Sequence, residues 1–287
     1  MVIFKKIKDL NAYLYLINMT GGKPGFIPTM GGLHAGHLSL IAKSRADRML
    51  TVCSIFLNPT QFNDKKDLES YPVSTHEDID LLIKAGCDVL FLPDVNEIYP
   101  DGEEQVKAYD FGYLETILEG AKRPGHFRGV GQVVARLLEI VQPAKLYIGQ
   151  KDYQQCMVIT KLAGMIGMQE MEIVICPTKR DADGLAMSSR NRRLTEPQRA
   201  MAGLIYQCLV SIESKQSATS FRVVKKECEG LLTAKGFIPE YIALADARDL
   251  TLLDEYQKDV PMVALIAAKI GEIRLIDNIL LDKEAGL

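Results

Sequence analysis

The chain has 287 residues, 47% of them hydrophobic and 25% charged, with a formal net charge of −3. That is the make-up of a soluble globular protein with room for two modest domains, and its slight acidity argues against a nucleic-acid surface. Met1-Val2-Ile3-Phe4-Lys5-Lys6 lacks the apolar core and cleavage site of a secretory signal, and no apolar run is long enough to span a membrane. The six cysteines (53, 87, 156, 176, 208 and 228) form no Cys-x-x-Cys pair and fall mostly in apolar stretches, as buried thiols in a reducing cytoplasm would.

Ile7, Leu10, Leu14 and Ile17 make a helical stripe that Gly21-Gly22 ends. Gly25-Phe26-Ile27 reads as a short strand and leads into Pro28-Thr29-Met30-Gly31-Gly32-Leu33-His34-Ala35-Gly36-His37-Leu38, after which Leu40, Ile41 and Ala42 continue a helical pattern. Two histidines and three glycines thus stand where a strand hands over to a helix. Glycine lets the backbone turn sharply and approach a ligand closely. A helix start presents N–H groups and a partial positive charge that suit phosphate. His34 and His37 share a helical face, and each can give a hydrogen bond or a proton to a phosphate oxygen. Two other readings stay open: solvated surface histidines, or metal ligands, although no further Cys or His cluster at ligand spacing accompanies them.

Thr51 to Leu57 is β-branched and apolar, a strand of a covered parallel sheet, and ends in the polar loop Asn58-Pro59-Thr60-Gln61-Phe62. Ser74-Thr75-His76-Glu77 reads as a capping box opening a helix that stops at Gly86. Asp88 to Leu92 is a third strand, and a strand and short helix are expected between Gln105 and Leu118. Arg123-Pro124-Gly125-His126-Phe127-Arg128-Gly129-Val130 opens a long helix to Val141. Lys145 to Ile148 is a strand ending at Gly149-Gln150-Lys151-Asp152; a helix follows from Tyr153 to Gly167, then a strand from Met171 to Cys176. This alternation predicts βαβ units and a parallel sheet. Polar clusters at three strand ends (His34/His37, Asn58/Gln61, Lys151/Asp152) are expected along one sheet edge, where open α/β sheets bind ligands.

Pro177 to Arg193 crowds five basic residues beside Ser188 and Ser189. It reads as a solvated interdomain loop or as a phosphate clamp with an arginine fork, and Ser188-Ser189-Arg190-Asn191 beside a glycine favours the clamp. Thr195 with Gln198 caps the next helix. Helices over about 196–213 and 220–235, a strand at Tyr241 to Leu244, and strands Met262 to Ala268 and Glu272 to Leu280 about Gly271 make a small α+β region. The expected fold is therefore α/β: a parallel-sheet domain over 1–176, then a small α+β domain over 177–287.

The histidine block resembles the nucleotide-binding signature shared by class I aminoacyl-tRNA synthetases and small-molecule adenylyltransferases. With it, the blocks at 54–62, Tyr71-Pro72, 123–130, 149–155 and 183–191 resemble those of the bacterial pantothenate synthetase (pantoate–β-alanine ligase) family, in its order and spacing and over nearly the whole chain. The resemblance implies a Rossmann-like ATP- and pantoate-binding domain of the HIGH-motif nucleotidyltransferase type with a C-terminal lid domain. It also implies a cytoplasmic homodimer and two steps: pantoate attacks the α-phosphate of Mg-ATP to give pantoyl adenylate, and β-alanine then displaces AMP. No nucleic-acid or membrane partner is implied.

By the same resemblance, Met30, Gly31, Gly32, Leu33, His34, Ala35, Gly36 and His37 form the ATP loop, with His37 donating a proton to phosphate. Gly149, Gln150, Lys151 and Asp152 form a nucleotide-binding turn with Lys151 on the phosphates. Lys179 faces the nucleotide, and Met187, Ser188, Ser189 and Arg190 form the mobile phosphate loop. Gln61 and Gln155 hold pantoate, Arg123 lies near the substrates, and Asp78 matches a carboxylate associated with Mg²⁺. Catalysis would rest on His34, His37, Lys151 and Arg190, which supply the charge neutralisation that attack on a triphosphate demands. Read without the family, Lys151 and Asp152 are a surface ion pair, worth little, Gln61 is a loop amide and Gln155 a helix-surface amide. Ala35, Val73, Gln150 and Lys179 depart from the residues usual in the family. Other functions with the same loop are a nucleotidyltransferase needing no second nucleophile and a non-catalytic nucleotide-binding regulator; a tRNA synthetase is disfavoured by the small C-terminal region.

Overall fold

The computed structural model describes residues 1–62, 65–102 and 107–281. The chain divides into two compact units: Met1–Gly149 with Gln154–Cys176, and Gln150–Tyr153 with Pro177–Leu287.

The first unit is built on a six-stranded sheet of β1 (Val2–Phe4), β2 (Pro24–Thr29), β3 (Leu50–Ile55), β4 (Val89–Phe91), β5 (Lys145–Gly149) and β6 (Glu172–Cys176). The order is β1-β4-β3-β2-β5-β6 and every pairing is parallel. Phe26, Ile27, Val52, Cys53 and Leu90 are buried completely or nearly so, which is why these strands read as continuous apolar runs. From β2 the chain winds outward through β3 to β4; β5 then starts on the other side of β2. The winding reverses between β2 and β5, the place where such sheets bind ligands. Pairing there covers only Gly25 with Lys145 and Phe26 with Leu146. Since β2 runs on to Thr29 and β5 to Gly149, the two strands part toward their C-terminal ends.

Three local expectations are corrected. Ser74 precedes the helix Thr75–Ala85, but its side chain makes no capping bond and its buried hydroxyl has no partner. Its φ −140°, ψ 67° departs from the extended backbone that aims an N-cap oxygen at the helix. No strand appears among the described residues 107–118; a 3-10 turn Gly112–Glu115 and the helix Leu118–Lys122 occupy that stretch, and Gln105 lies outside the described residues. The helix expected over 196–213 is two, Glu196–Ala202 and Leu204–Ser214, meeting at Gly203. The Thr195–Gln198 capping box is present.

The second unit carries an antiparallel sheet of β7 (Phe237–Asp246), β8 (Leu252–Leu253), β9 (Met262–Ile270) and β10 (Ile273–Leu280), in the order β10-β9-β7-β8. Ile205, Leu209 and Ile212 of the helix Leu204–Ser214 and Val224 and Leu232 of the helix Phe221–Ala234 share one apolar cluster with Ile266 and Ala268 of β9. A tight β9–β10 hairpin, a longer β7–β9 connection that carries β8, and a two-helix cover give this unit its α+β character.

Candidate active site

The loop after β2 is braced from below. Thr29 Oγ1 donates to the Ser54 carbonyl at 2.7 Å and accepts the Gly31 N–H at 3.3 Å. Asp78, in the first turn of the helix Thr75–Ala85 and fully buried, accepts the Gly32 N–H at 2.8 Å and the Leu33 N–H at 2.7 Å, one on each oxygen. Gly31 lies at φ +82°, where a Cβ would also press on Asp78 Oδ2 at 3.1 Å. Only glycine takes this turn without strain.

The helix Ala35–Ala46 then begins with a reciprocal cap. His34 Nδ1 accepts the Gly36 N–H at 3.1 Å, and His37 Nδ1 accepts the His34 N–H at 3.3 Å. The two rings lie 4.1 Å apart between centroids and are half-buried. A neutral imidazole has one donor and one acceptor nitrogen, so a cap on Nδ1 puts the proton of both rings on Nε2. Each ring can therefore donate from Nε2 without giving up its hold on the helix start.

Gln61 ends the 3-10 turn Pro59–Gln61 that follows β3. Its Oε1 accepts from Asn58 Nδ2 at 3.2 Å, and its Nε2 lies 2.9 Å from Met30 Sδ. Asn58 is itself buried and saturated: Nδ2 also donates to the Gly129 carbonyl, and Oδ1 accepts from Tyr99 and Thr60. The helix His126–Val141 presses flush on this turn, since a Cβ at Gly129 would lie 2.4 Å from the Thr60 carbonyl oxygen. His126, also buried, donates from Nδ1 to the Gln61 carbonyl at 2.9 Å, which leaves Nε2 to accept from the Arg123 guanidinium at 3.1 Å. The structure thus brings Met30, Gln61 and Arg123 into one hydrogen-bonded set. Asn58 and His126 join them; the sequence placed Asn58 with Gln61 in a strand-end polar cluster but gave neither Asn58 nor His126 a role at the site. Both stood in noted blocks, but a buried amide and a buried imidazole give no periodic signal of their own.

Gln154 and Gln155 part company. Gln154 is buried and spends its side chain on the carbonyls of Leu114 and Ile117 and the N–H of Glu119, whereas Gln155 is half-buried.

Lys151 stands in the turn Gln150–Asp152, within the second unit, and pairs with Asp152 at 3.2 Å. In the same unit, Arg180 pairs with Ala186 and the Met187 N–H returns to the Lys179 carbonyl at 2.9 Å, so residues 179–187 form a hairpin. Lys179 is exposed. The hairpin leads into Ser188, whose hydroxyl accepts the Arg190 N–H at 3.3 Å and caps the 3-10 turn Ser189–Arg193. Two buried polar atoms of this stretch, Thr178 Oγ1 and Asn191 Oδ1, have no hydrogen-bond partner.

Among the described residues no group of three or more His, Cys, Asp or Glu side chains is arranged to hold a metal ion. Asp78, which the family pattern associates with Mg²⁺, has each of its oxygens engaged by one backbone N–H group of the loop.

A family model described as pantoate-beta-alanine ligase matches residues 2–280. Pantothenate synthetase from Cytophaga hutchinsonii is 40% identical over 284 residues, covering 98% of this chain and 99% of that protein. That from Herpetosiphon aurantiacus is 44% identical over 260 residues, covering 90% and 93%. The crystal structure of pantothenate synthetase from Thermus thermophilus superposes with a TM-score of 0.90 at 37% identity, covering 98% of this chain and 99% of that one. A pantoate-beta-alanine ligase from Francisella tularensis, complexed with beta-gamma ATP and beta-alanine, gives 0.83 at 36% identity, with 98% of each chain covered. With a parallel sheet that reverses its winding beside a histidine-capped loop, and with matches that run nearly end to end, the chain belongs to the pantoate–beta-alanine ligase family.

Proposed function

We propose that the chain joins pantoate to β-alanine at the expense of ATP, giving pantothenate, AMP and pyrophosphate, with the roles below. The pantoate carboxylate attacks the α-phosphorus and the bond to pyrophosphate breaks; the β-alanine amine then attacks the acyl carbon, AMP leaves, and the amine's proton passes to solvent. The reciprocal histidine cap is the observation that carries this reading. It sets two Nε2–H donors at the start of a twelve-residue helix, where backbone N–H groups also favour phosphate. His37 donates to phosphate as charge builds on it, and His34 steadies ATP. The backbone of Met30 to Gly36 and the Gly149–Asp152 segment cradle the nucleotide. Lys151 and Arg190 neutralise the triphosphate, with Met187, Ser188 and Ser189 beside Arg190 and Lys179 toward the nucleotide. The unpartnered Thr178 and Asn191 atoms support a ligand for that loop.

Gln61 and Gln155 bind pantoate, and Arg123 serves the acid substrates. Neutral amides suit a carboxylate that must act as nucleophile, because a tight cationic partner would lower its basicity. Mg²⁺ enters as the MgATP complex, where it neutralises phosphate charge. The reading extends to a cytoplasmic homodimer, as is usual in the family; no helix among the described residues is long and apolar enough to cross a membrane. Following AMP with ATP, pantoate and β-alanine supplied singly and together tests it. Release that requires both acids is expected; release without β-alanine points to a transferase, and none at all to a regulator.

A further inference from the structure

We propose that Asn278, on β10, is the positioning residue for Lys151, and that the Arg180–Asp277 ion pair beside it ties the lysine's turn to the hairpin leading to Met187 and Arg190. The proposal deepens the reading of Lys151 as a phosphate ligand and rests on it. A 3-10 turn of three residues has little internal bonding and cannot by itself fix a long side chain. Its hold comes from far along the chain. Asn278 Nδ2 donates to the Gln150 carbonyl at 2.9 Å and to the Lys151 carbonyl at 2.8 Å, while Oδ1 accepts from Gln150 Nε2 at 3.2 Å. Both N–H groups and the acceptor are spent on one turn, by a side chain only 2% exposed. A planar amide is the side chain that offers two donors and an acceptor at that reach.

Asn278 is held in turn. Its N–H donates to Asp277 Oδ1 at 2.8 Å, and its carbonyl accepts from Arg180 at 3.2 Å. Arg180 grips Asp277 with both terminal nitrogens and stacks on Tyr206, 4.1 Å from the ring centroid. The same arginine forms the bridge to Ala186 at the base of the hairpin. Two adjacent residues of β10 therefore hold the backbone beneath Lys151 and the root of the segment bearing Arg190. Cations fixed before the nucleotide arrives need no ordering at the moment of binding.

The test is a double-variant cycle on the full chain: ATP affinity by equilibrium dialysis and the KM for pantoate, for wild type, Asn278→Ala, Lys151→Ala and the pair. Asn278→Ala should weaken ATP about tenfold, the loss expected from about one net hydrogen bond. It should leave the pantoate KM within about twofold, and add no further loss to Lys151→Ala, because it acts through that lysine. Equal losses for ATP and pantoate, unchanged ATP affinity, or additive losses in the pair overturn the proposal. Wild-type ATP affinity in Lys151→Ala alone removes the reading of Lys151, and the proposal with it. Should Asn278→Ala not fold, Asn278→Ser takes its place in the cycle with the same expectations.

Discussion

Asp78 holds Gly32: a fully buried carboxylate oxygen accepts the glycine N–H at 2.8 Å, across 46 residues of sequence, while its other oxygen takes the Leu33 N–H. Asp78→Asn keeps the shape but replaces one acceptor by a donor facing an N–H. Losing a hydrogen bond to a buried charge should cost about 1.5–3 kcal/mol in urea unfolding. The KM for ATP should rise by about tenfold or more, and that for β-alanine should stay near wild type. A variant with both stability and ATP KM unchanged would show that the loop stands without its brace.

The histidines should separate kinetically. His37→Ala should lower kcat by about two to four orders of magnitude with little change in pantoate affinity, as loss of a donor to developing charge does. His34→Ala should act more through ATP binding. Exchange of labelled pyrophosphate into ATP with pantoate alone is the measurement, since it reads the first step by itself. Near-normal exchange in His37→Ala would return that residue to a simple cap, worth about 1 kcal/mol of stability.

The two neighbouring glutamines offer an internal control. Gln155→Glu removes donors and sets a negative charge near two anions, so pantoate binding should weaken by on the order of 2–5 kcal/mol, read as a KM raised tens to thousands of fold. Gln154→Glu should instead lower the melting temperature, because its amide is committed to three backbone groups. Pantoate binding within a few fold of wild type in Gln155→Glu would remove that residue from the pocket.

Lys6 holds the Glu97 carboxyl below the usual carboxylate range, helped by the Ile7 N–H at 2.8 Å. A carboxyl whose pKa is lowered on folding lends stability above its unfolded value, about 4.3, and loses it as pH falls through the lowered value. Glu97→Gln should therefore melt below wild type at pH 7, and the gap should narrow as pH falls below the unfolded value of about 4.3 and through the lowered folded one. A gap independent of pH would mean that the charge contributes nothing.

All six cysteines are free and buried, and burial pushes the Cys87 thiol up to about 11. A reagent must reach a thiol before thiolate can react, so an aromatic disulfide reagent at pH 8 should label the native protein, with all six buried, negligibly and all six sites after unfolding. Rapid labelling of the native chain would reveal local opening.

Alternation of apolar runs with helical stripes was enough to read β2 to β6 and the longer helices between them, because burial on both faces leaves its mark on composition; the short helices Lys65–Glu69 and Val95–Ile98 carry too few residues for a stripe and were not read. β1 is no shorter than β4 but its residues are exposed or half-buried where those of β4 are buried, and it was not read as a strand. What sequence could not show is which distant group satisfies a backbone atom. Glu97 serves the first N–H of the helix Ile7–Met19 from 90 residues away, where the adjacent Lys6 offers no cap. Asn278 works in the same manner and looked like an ordinary polar residue in its strand, while Asp78 was singled out only through the resemblance, as a carboxylate associated with Mg²⁺, and not as the brace of the loop. The two histidines were legible because their partners are their neighbours.

The dependence of the Gln150–Asp152 turn on Asn278 also orders events in time. Synthesis proceeds from the N-terminus, and early segments generally begin to fold before late ones exist. β2 and β5 can pair once residue 146 has left the ribosome, but the turn that continues β5 must wait for a strand made more than 120 residues later. A nascent chain can thus own a parallel sheet and a capped histidine loop while the lysine still lacks its support, so nucleotide binding should mature only after β10 is released.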